Sequence, residues 1–203
     1  MSEPLTRRAQ RHIRTALHYG SLAVDATAGN GHDTCFLAEL VGATGYVLAL
    51  DIQHTALIRT RQRLREASLI PQSVMVRADH ARLACLTPRH WRGSVDAVMF
   101  NLGYHPGGDR PLITTPSSTR AALDAAHKLL RPGGVISVLA YRGHPGGAEE
   151  AWCVARWMGR AAKRGDGWQQ QTAASARGPV LHLLQRQHSE DPDHLQEERL
   201  WRS

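Results

Sequence analysis

The chain has 203 residues, of which 42% are hydrophobic and 21% charged, with a formal net charge of +7. That length suits one domain with a sizeable core and is short for two. No stretch offers the eighteen or so uncharged apolar residues needed to cross a membrane, and three scattered cysteines, Cys35, Cys85 and Cys153, argue against a disulfide framework or a cysteine zinc site.

The first fourteen residues hold four arginines and lack the apolar region of a secretory signal, so a cytoplasmic protein is expected. Residues 188–203 carry five acids and two arginines, a charge of −3, which leaves +10 on residues 1–187. The expectation is one domain over 1–187 followed by a polar acidic tail. A body of that charge favours a polyanionic partner, although an arginine-rich solvated face would look the same.

Residues 5–19 have helical spacing, with Leu5, Ala9, Ile13, Ala16 and Leu17 on one side. Arg7, Arg8, Arg11 and Arg14 remain for water or phosphate. A short strand at 22–25 ends in Asp25, and a glycine turn leads to a helix at 33–42. A second strand at 46–50 ends at Asp51, and a helix at 54–68 stops before Pro71. Strands are expected at 73–78 and 95–100, with a short helix before Pro88 between them. A helix at 117–130 runs into Arg131-Pro132-Gly133-Gly134, and the nearly all-apolar 135–141 reads as a central strand. A helix at 147–163 and a hairpin-like pair of strands, 168–174 and 180–185, complete the pattern. Seven strands with intervening helices predict one α/β sandwich, and right-handed crossovers put the ends of the first four strands on one rim.

The chemistry collects on that rim. Gly29 and Gly31 bring backbone amides to a nucleotide-like ligand, and Asp51 is placed to accept from ribose hydroxyls. The turn fits either a nicotinamide dinucleotide or S-adenosylmethionine. Thr34 stands where a third dinucleotide-binding glycine would be, and acids at both ends of the turn, Asp25 and Asp33, suit a cationic sulfonium and amino group. Asp25 reads equally as a structural acid tying down the turn. Asp79 and His80, after the third strand, either contact the adenine or order the rim. Asn101 and Tyr104, in the Gly/Pro-rich 101–109 loop, can orient an amine or a base. His144, in the loop after the fifth strand, is a base, an anchor or an ordinary loop histidine. Spaced histidine pairs backed by acids are absent from these loops, so no metal is expected.

The runs DATAGNGHDTCFLAELVG (25–42), DIQ (51–53), FNLGYHPGGDRPLITTPSST (100–119) and YRGHPGG (141–147) resemble a small family of class I S-adenosylmethionine methyltransferases labelled rRNA methylases. That family is similar to the bacterial enzymes that N-methylate 5-aminomethyl-2-thiouridine at the tRNA wobble position. The resemblance implies a Rossmann-like fold with a seven-stranded, mostly parallel sheet covered by helices on both faces. It implies S-adenosylmethionine as methyl donor, S-adenosylhomocysteine as product, and the tRNA anticodon stem-loop as partner.

Matched residue by residue, it assigns Asp25, Gly29, Asn30, Gly31, His32, Asp33, Asp51, Gln53 and, rather than Asp79, His80 to the cofactor, with Thr27, Ile52, Asp79 and Asn101 as further candidates beside them. Gly103, Tyr104, Pro106, Gly107, Gly108, Asp109, Thr115 and Ser118 match the family's signature next to the substrate, and Arg110, Arg142 and His144 are further candidates for the substrate on the same rim. Asn101 and Tyr104 would hold the reacting amine, with His144 or His105 as proton acceptor. The sequence departs from the family at His105, at Arg142 and across 171–179. The basic opening helix is the expected RNA surface, and a homodimer would extend it. The alternatives are methylation of another RNA or a small amine, a nicotinamide-dependent oxidoreductase, and a non-catalytic RNA-binding module.

Overall fold

The computed structural model describes residues 3–103, 114–164, 167–175 and 178–187. Seven strands form one sheet in the order β3-β2-β1-β4-β5-β7-β6. They are β1 Leu22–Asp25, β2 Tyr46–Asp51, β3 Ser73–Arg77, β4 Val95–Leu102, β5 Leu130–Ala140, β6 Trp168–Ala174 and β7 Val180–Arg186. The first five pair in parallel, while β7 runs antiparallel to both β5 and β6. Where β6 and β7 adjoin, Ser175 N donates to Pro179 O at 3.2 Å.

Alternation along the strands sorts the core into two layers. Val24, Leu48, Val98, Phe100, Ile136 and Val138 face one side with α4 (Leu83–Leu86), α5 (Pro116–Leu129) and α6 (Gly147–Ala161). Ala23, Val47, Ala97, Met99 and Val135 face the other with α1 (Leu5–Ala16), α2 (His32–Val41) and α3 (His54–Glu66). The sheet is thus covered on both faces, as its apolar central strands require.

Two element ends differ most from expectation. The first helix stops at Ala16, because Leu17 is extended and Ser21 Oγ accepts from His18 N at 3.0 Å to start a turn. The fifth strand begins at Leu130, which pairs with Val95 ahead of a register shift, so Arg131 to Gly134 form an irregular strand start. A Cβ on Gly134 would sit 2.7 Å from Leu130 Cδ2 and 3.0 Å from Arg131 O, which only glycine avoids. Between β1 and β4 the chain order reverses, and the crevice at the strand ends opens there.

Candidate active site

Strand β1 delivers Asp25 to the base of the crevice, fully buried. Its carboxylate accepts from Thr34 Oγ1 at 2.6 Å and from Thr27 N at 3.2 Å. Burial, and next the neighbouring Asp33 charge, push its pKa up to about 7 against the pull of those two bonds. The following turn is pinned to both flanking strands, with Ala26 N donating to Met99 O and Ala28 N to Leu50 O.

The two glycines of the turn do different work. Gly29 lines the cleft, and its N–H donates to Asp51 Oδ2 at 2.9 Å. Gly31 has φ +78°, and a Cβ there would lie 2.7 Å from Thr60 Cα. It therefore lets α2 and α3 touch. Asp51, at the end of β2, also accepts from Gln53 N at 2.8 Å, which fixes its carboxylate toward the cleft.

At the other end of the cleft, Asp33 opens α2 and accepts from Gln10 Nε2 at 2.8 Å and Asn101 Nδ2 at 2.5 Å. Asn101 is itself held by its backbone N–H, which donates to Thr27 Oγ1 at 2.7 Å. Tyr141 stands beside this group, its phenol pKa raised by burial and then by the Asp33 charge. His144 Nδ1 lies 3.0 Å from the Pro145 carbonyl, which only accepts, so that nitrogen carries a hydrogen and, in the neutral ring, Nε2 is the bare one. Nε2 is buried and has no hydrogen-bond partner among the described residues. The lack of side chains at Gly103 and Gly147 makes room for it, since Cβ atoms there would lie 3.5 Å and 2.7 Å away.

A second cluster backs the wall formed by β3 and α5. Glu150 is buried and accepts from Thr114 Oγ1 and Thr119 Oγ1, both at 2.6 Å. His80 Nε2 lies 3.4 Å from Thr119 Oγ1, and its ring meets Phe100 edge-on. Burial lowers the His80 pKa, against the raising effect of Asp79, Glu150 and Asp51. Thr115 caps α5 in a reciprocal box with Ser118. These parts enclose a cavity of about 730 Å³.

The family model described as "Putative rRNA methylase" matches residues 47–185. The chain belongs to that family. A crystal structure under the same description from Clostridium thermocellum is 32% identical, with a TM-score of 0.83 over 92% of this chain and 99% of that one. A Streptococcus mutans protein described as a "putative methyltransferase" and solved in complex with SAH is 25% identical. Its TM-score is 0.79, with 92% and 99% of the two chains covered. The chloroplastic tRNA (mnm(5)s(2)U34)-methyltransferase of Arabidopsis thaliana is 41% identical over 139 residues, 64% of this chain. The chain spans 50% of that curated relative's length. The fold of this rRNA-methylase family member is that of the Rossmann-like class I methyltransferases, as its sequence led one to expect.

In this family member the cleft gathers Thr27, Gly29, Asn30, His32, Asp33, Asp51, Ile52, Gln53, Asp79, His80, Asn101, Gly103, Thr115, Ser118 and His144. Three expected residues stand elsewhere. Asp25 lies beneath the turn and does not line the cleft, and Gly31 packs two helices. Arg142 donates to Ser175 O and Gly178 O, so its guanidinium pins the β6–β7 turn. Tyr104, His105, Pro106, Gly107, Gly108, Asp109 and Arg110 lie outside the described residues, as do residues 188–203. On α1, Arg7, Arg11 and Arg14 are exposed and Arg8 is half-buried; Arg11 pairs with Glu3 at 3.1 Å and Arg14 lies over Phe36.

The sequence reading missed the other side of α1, where Thr6 and Gln10 line the cleft. It also missed Glu150 and left Tyr141 out of the site. No local pattern marks Gln10; only its position one turn from Thr6, on a helix that docks beside Asp33, makes it a site residue. No helix among the described residues is long and apolar enough to cross a membrane.

Proposed function

We propose that this chain is a cytoplasmic S-adenosylmethionine-dependent enzyme that N-methylates the aminomethyl group of 5-aminomethyl-2-thiouridine at the wobble position of tRNA. The carrying observation is the pairing of opposite ends in one cleft. Asp51, at the end of β2, suits a ribose, while the Asp33–Asn101 pair and His144, whose Nε2 has no partner among the described residues, line the same cleft. The Asp33 carboxylate favours a cationic methyl donor, and the cavity is large enough for the donor with part of a nucleoside. The name of the Arabidopsis relative supports tRNA as substrate.

When bound, the donor supplies a methyl group on a sulfonium; the amine nitrogen bonds to it as the carbon–sulfur bond breaks, and that electron pair leaves with sulfur. The chain's own residues handle position and protons. An alkylamine with a pKa near that of lysine, about 10.4, is mostly protonated at neutral pH and must lose a proton before attack. His144 Nε2, with its lone pair uncommitted, accepts it. The Asn101 Oδ1 accepts a remaining N–H and aims the nitrogen, while Nδ2 stays on Asp33.

The test is nucleoside analysis of tRNA from cells lacking the protein. The expected result is loss of 5-methylaminomethyl-2-thiouridine with accumulation of its 5-aminomethyl precursor. An unchanged wobble nucleoside with a methyl missing from ribosomal RNA would favour the substrate that the family's description names.

A further inference from the structure

The outer side of α6 carries chemistry that the cleft does not use. Trp152 is 60% exposed, whereas Trp91, Trp157 and Trp168 are buried. The Arg156 guanidinium lies over the Trp152 ring, 4.6 Å from its centroid. Trp152, Arg156 and Arg160 follow one another at four-residue spacing and so form one stripe, with Lys163 and Arg164 beyond the helix end. All five are exposed, and none of the four cations has a carboxylate partner among the described residues.

The stripe begins beside the cleft. Cys153 Sγ lies 3.7 Å from Pro116 O, and Pro116 follows the cleft-lining Thr115. Trp157 Nε1 donates to Asp124 Oδ1 at 2.8 Å, so α5 and α6 run side by side in the same direction. That register sets the exposed Arg120 of α5 opposite residues 153–157.

We propose that Trp152, braced by Arg156, is a stacking platform for an unpaired base of the RNA whose neighbouring nucleotide enters the cleft. Arg120 and Arg160 take its phosphates. This rests on the reading of the cleft as an RNA methylation site. An aromatic face accepts any base, and flanking arginines supply both phosphate contacts and a planar surface. Charge decides between RNA and a second copy of the chain. Two such faces brought together by a twofold axis would set arginine against arginine, whereas a phosphate backbone neutralises them.

The test titrates a fluorescein-labelled unmodified anticodon stem-loop RNA against the wild-type protein, Trp152→Ala, Trp152→Phe and Arg156→Ala. S-adenosylmethionine affinity, thermal midpoint and light scattering are measured on each. Trp152→Ala is expected to weaken RNA binding about 5- to 100-fold, with Trp152→Phe restoring most of it and methyl-donor affinity unchanged. Arg156→Ala removes the brace and not a phosphate contact, so it should weaken binding with the salt slope nearly unchanged. Equal RNA affinity of the wild type and Trp152→Ala overturns the platform alone. So does a change of oligomeric state in Trp152→Ala, which would assign the face to a second copy. A wild-type protein that binds the methyl donor but no RNA overturns the RNA reading of the cleft and the platform with it.

Discussion

A carboxyl group buried as completely as that of Asp25 records its cost in the pH dependence of folding. Its folded pKa of about 7 stands above the ordinary 3.8. The folded chain therefore keeps a proton between those values that the unfolded chain has lost. Its contribution to stability is fully present below about pH 4 and is lost as pH rises to about 7. Asp25→Asn keeps an acceptor for Thr34 and removes the titration. Urea midpoints at pH 5 and pH 7.5 should show the variant gaining stability relative to wild type at the higher pH, and a constant difference would contradict this. Asn101 tests the chemistry instead. Because Gln10 still holds the other oxygen of Asp33, Asn101→Ala should leave methyl-donor affinity within about fivefold while turnover falls by about 100-fold or more. A loss confined to donor binding would move Asn101 to the cofactor side alone.

At the scale of elements, legibility followed locality. The strands ending in Asp25 and Asp51, and the apolar run at 135–141, announce themselves through residues next to one another, and all seven strands were placed. The early stop of α1 rests on a local turn between His18 and Ser21, but the start of β5 depends on a distant partner. Leu130 is a strand residue because Val95 lies beside it, and nothing within 130–134 says so. Glu150 is further from reach: its two hydroxyl donors, Thr114 and Thr119, lie 36 and 31 residues away. That carboxylate ties α6, the start of α5 and the His80 wall together. Glu150→Ala would strand both hydroxyls and should destabilise the fold by about 3 kcal/mol, as hydrogen bonds to a charged group contribute about 1.5–3 kcal/mol each. Chemical denaturation should show Glu150→Gln recovering at least half of that. Equal losses in both variants would mean that packing, and not the shared acceptor, fixes this wall.

For the whole molecule, charge and architecture point the same way. A +10 body beside a rim-opening cleft attracts a polyanion, and the order β3-β2-β1-β4 sets that cleft where a methyl donor binds in this fold. The fold was legible from periodicity and the donor from Asp51 and the glycine turn, because a generic cofactor imposes generic spacing. The substrate was not, because the cleft side chains from α1, β4 and the loop after β5 come together only in the fold, and no repeat or spacing among them encodes a nucleoside. The most direct measurement is therefore single-turnover transfer of a labelled methyl group from S-adenosylmethionine to hypomodified tRNA, followed by nucleoside analysis. The account expects the label in 5-methylaminomethyl-2-thiouridine alone, with transfer slowed by a factor of about 100 or more in His144→Ala. Label on any other nucleoside, or full-speed transfer by His144→Ala, would contradict it.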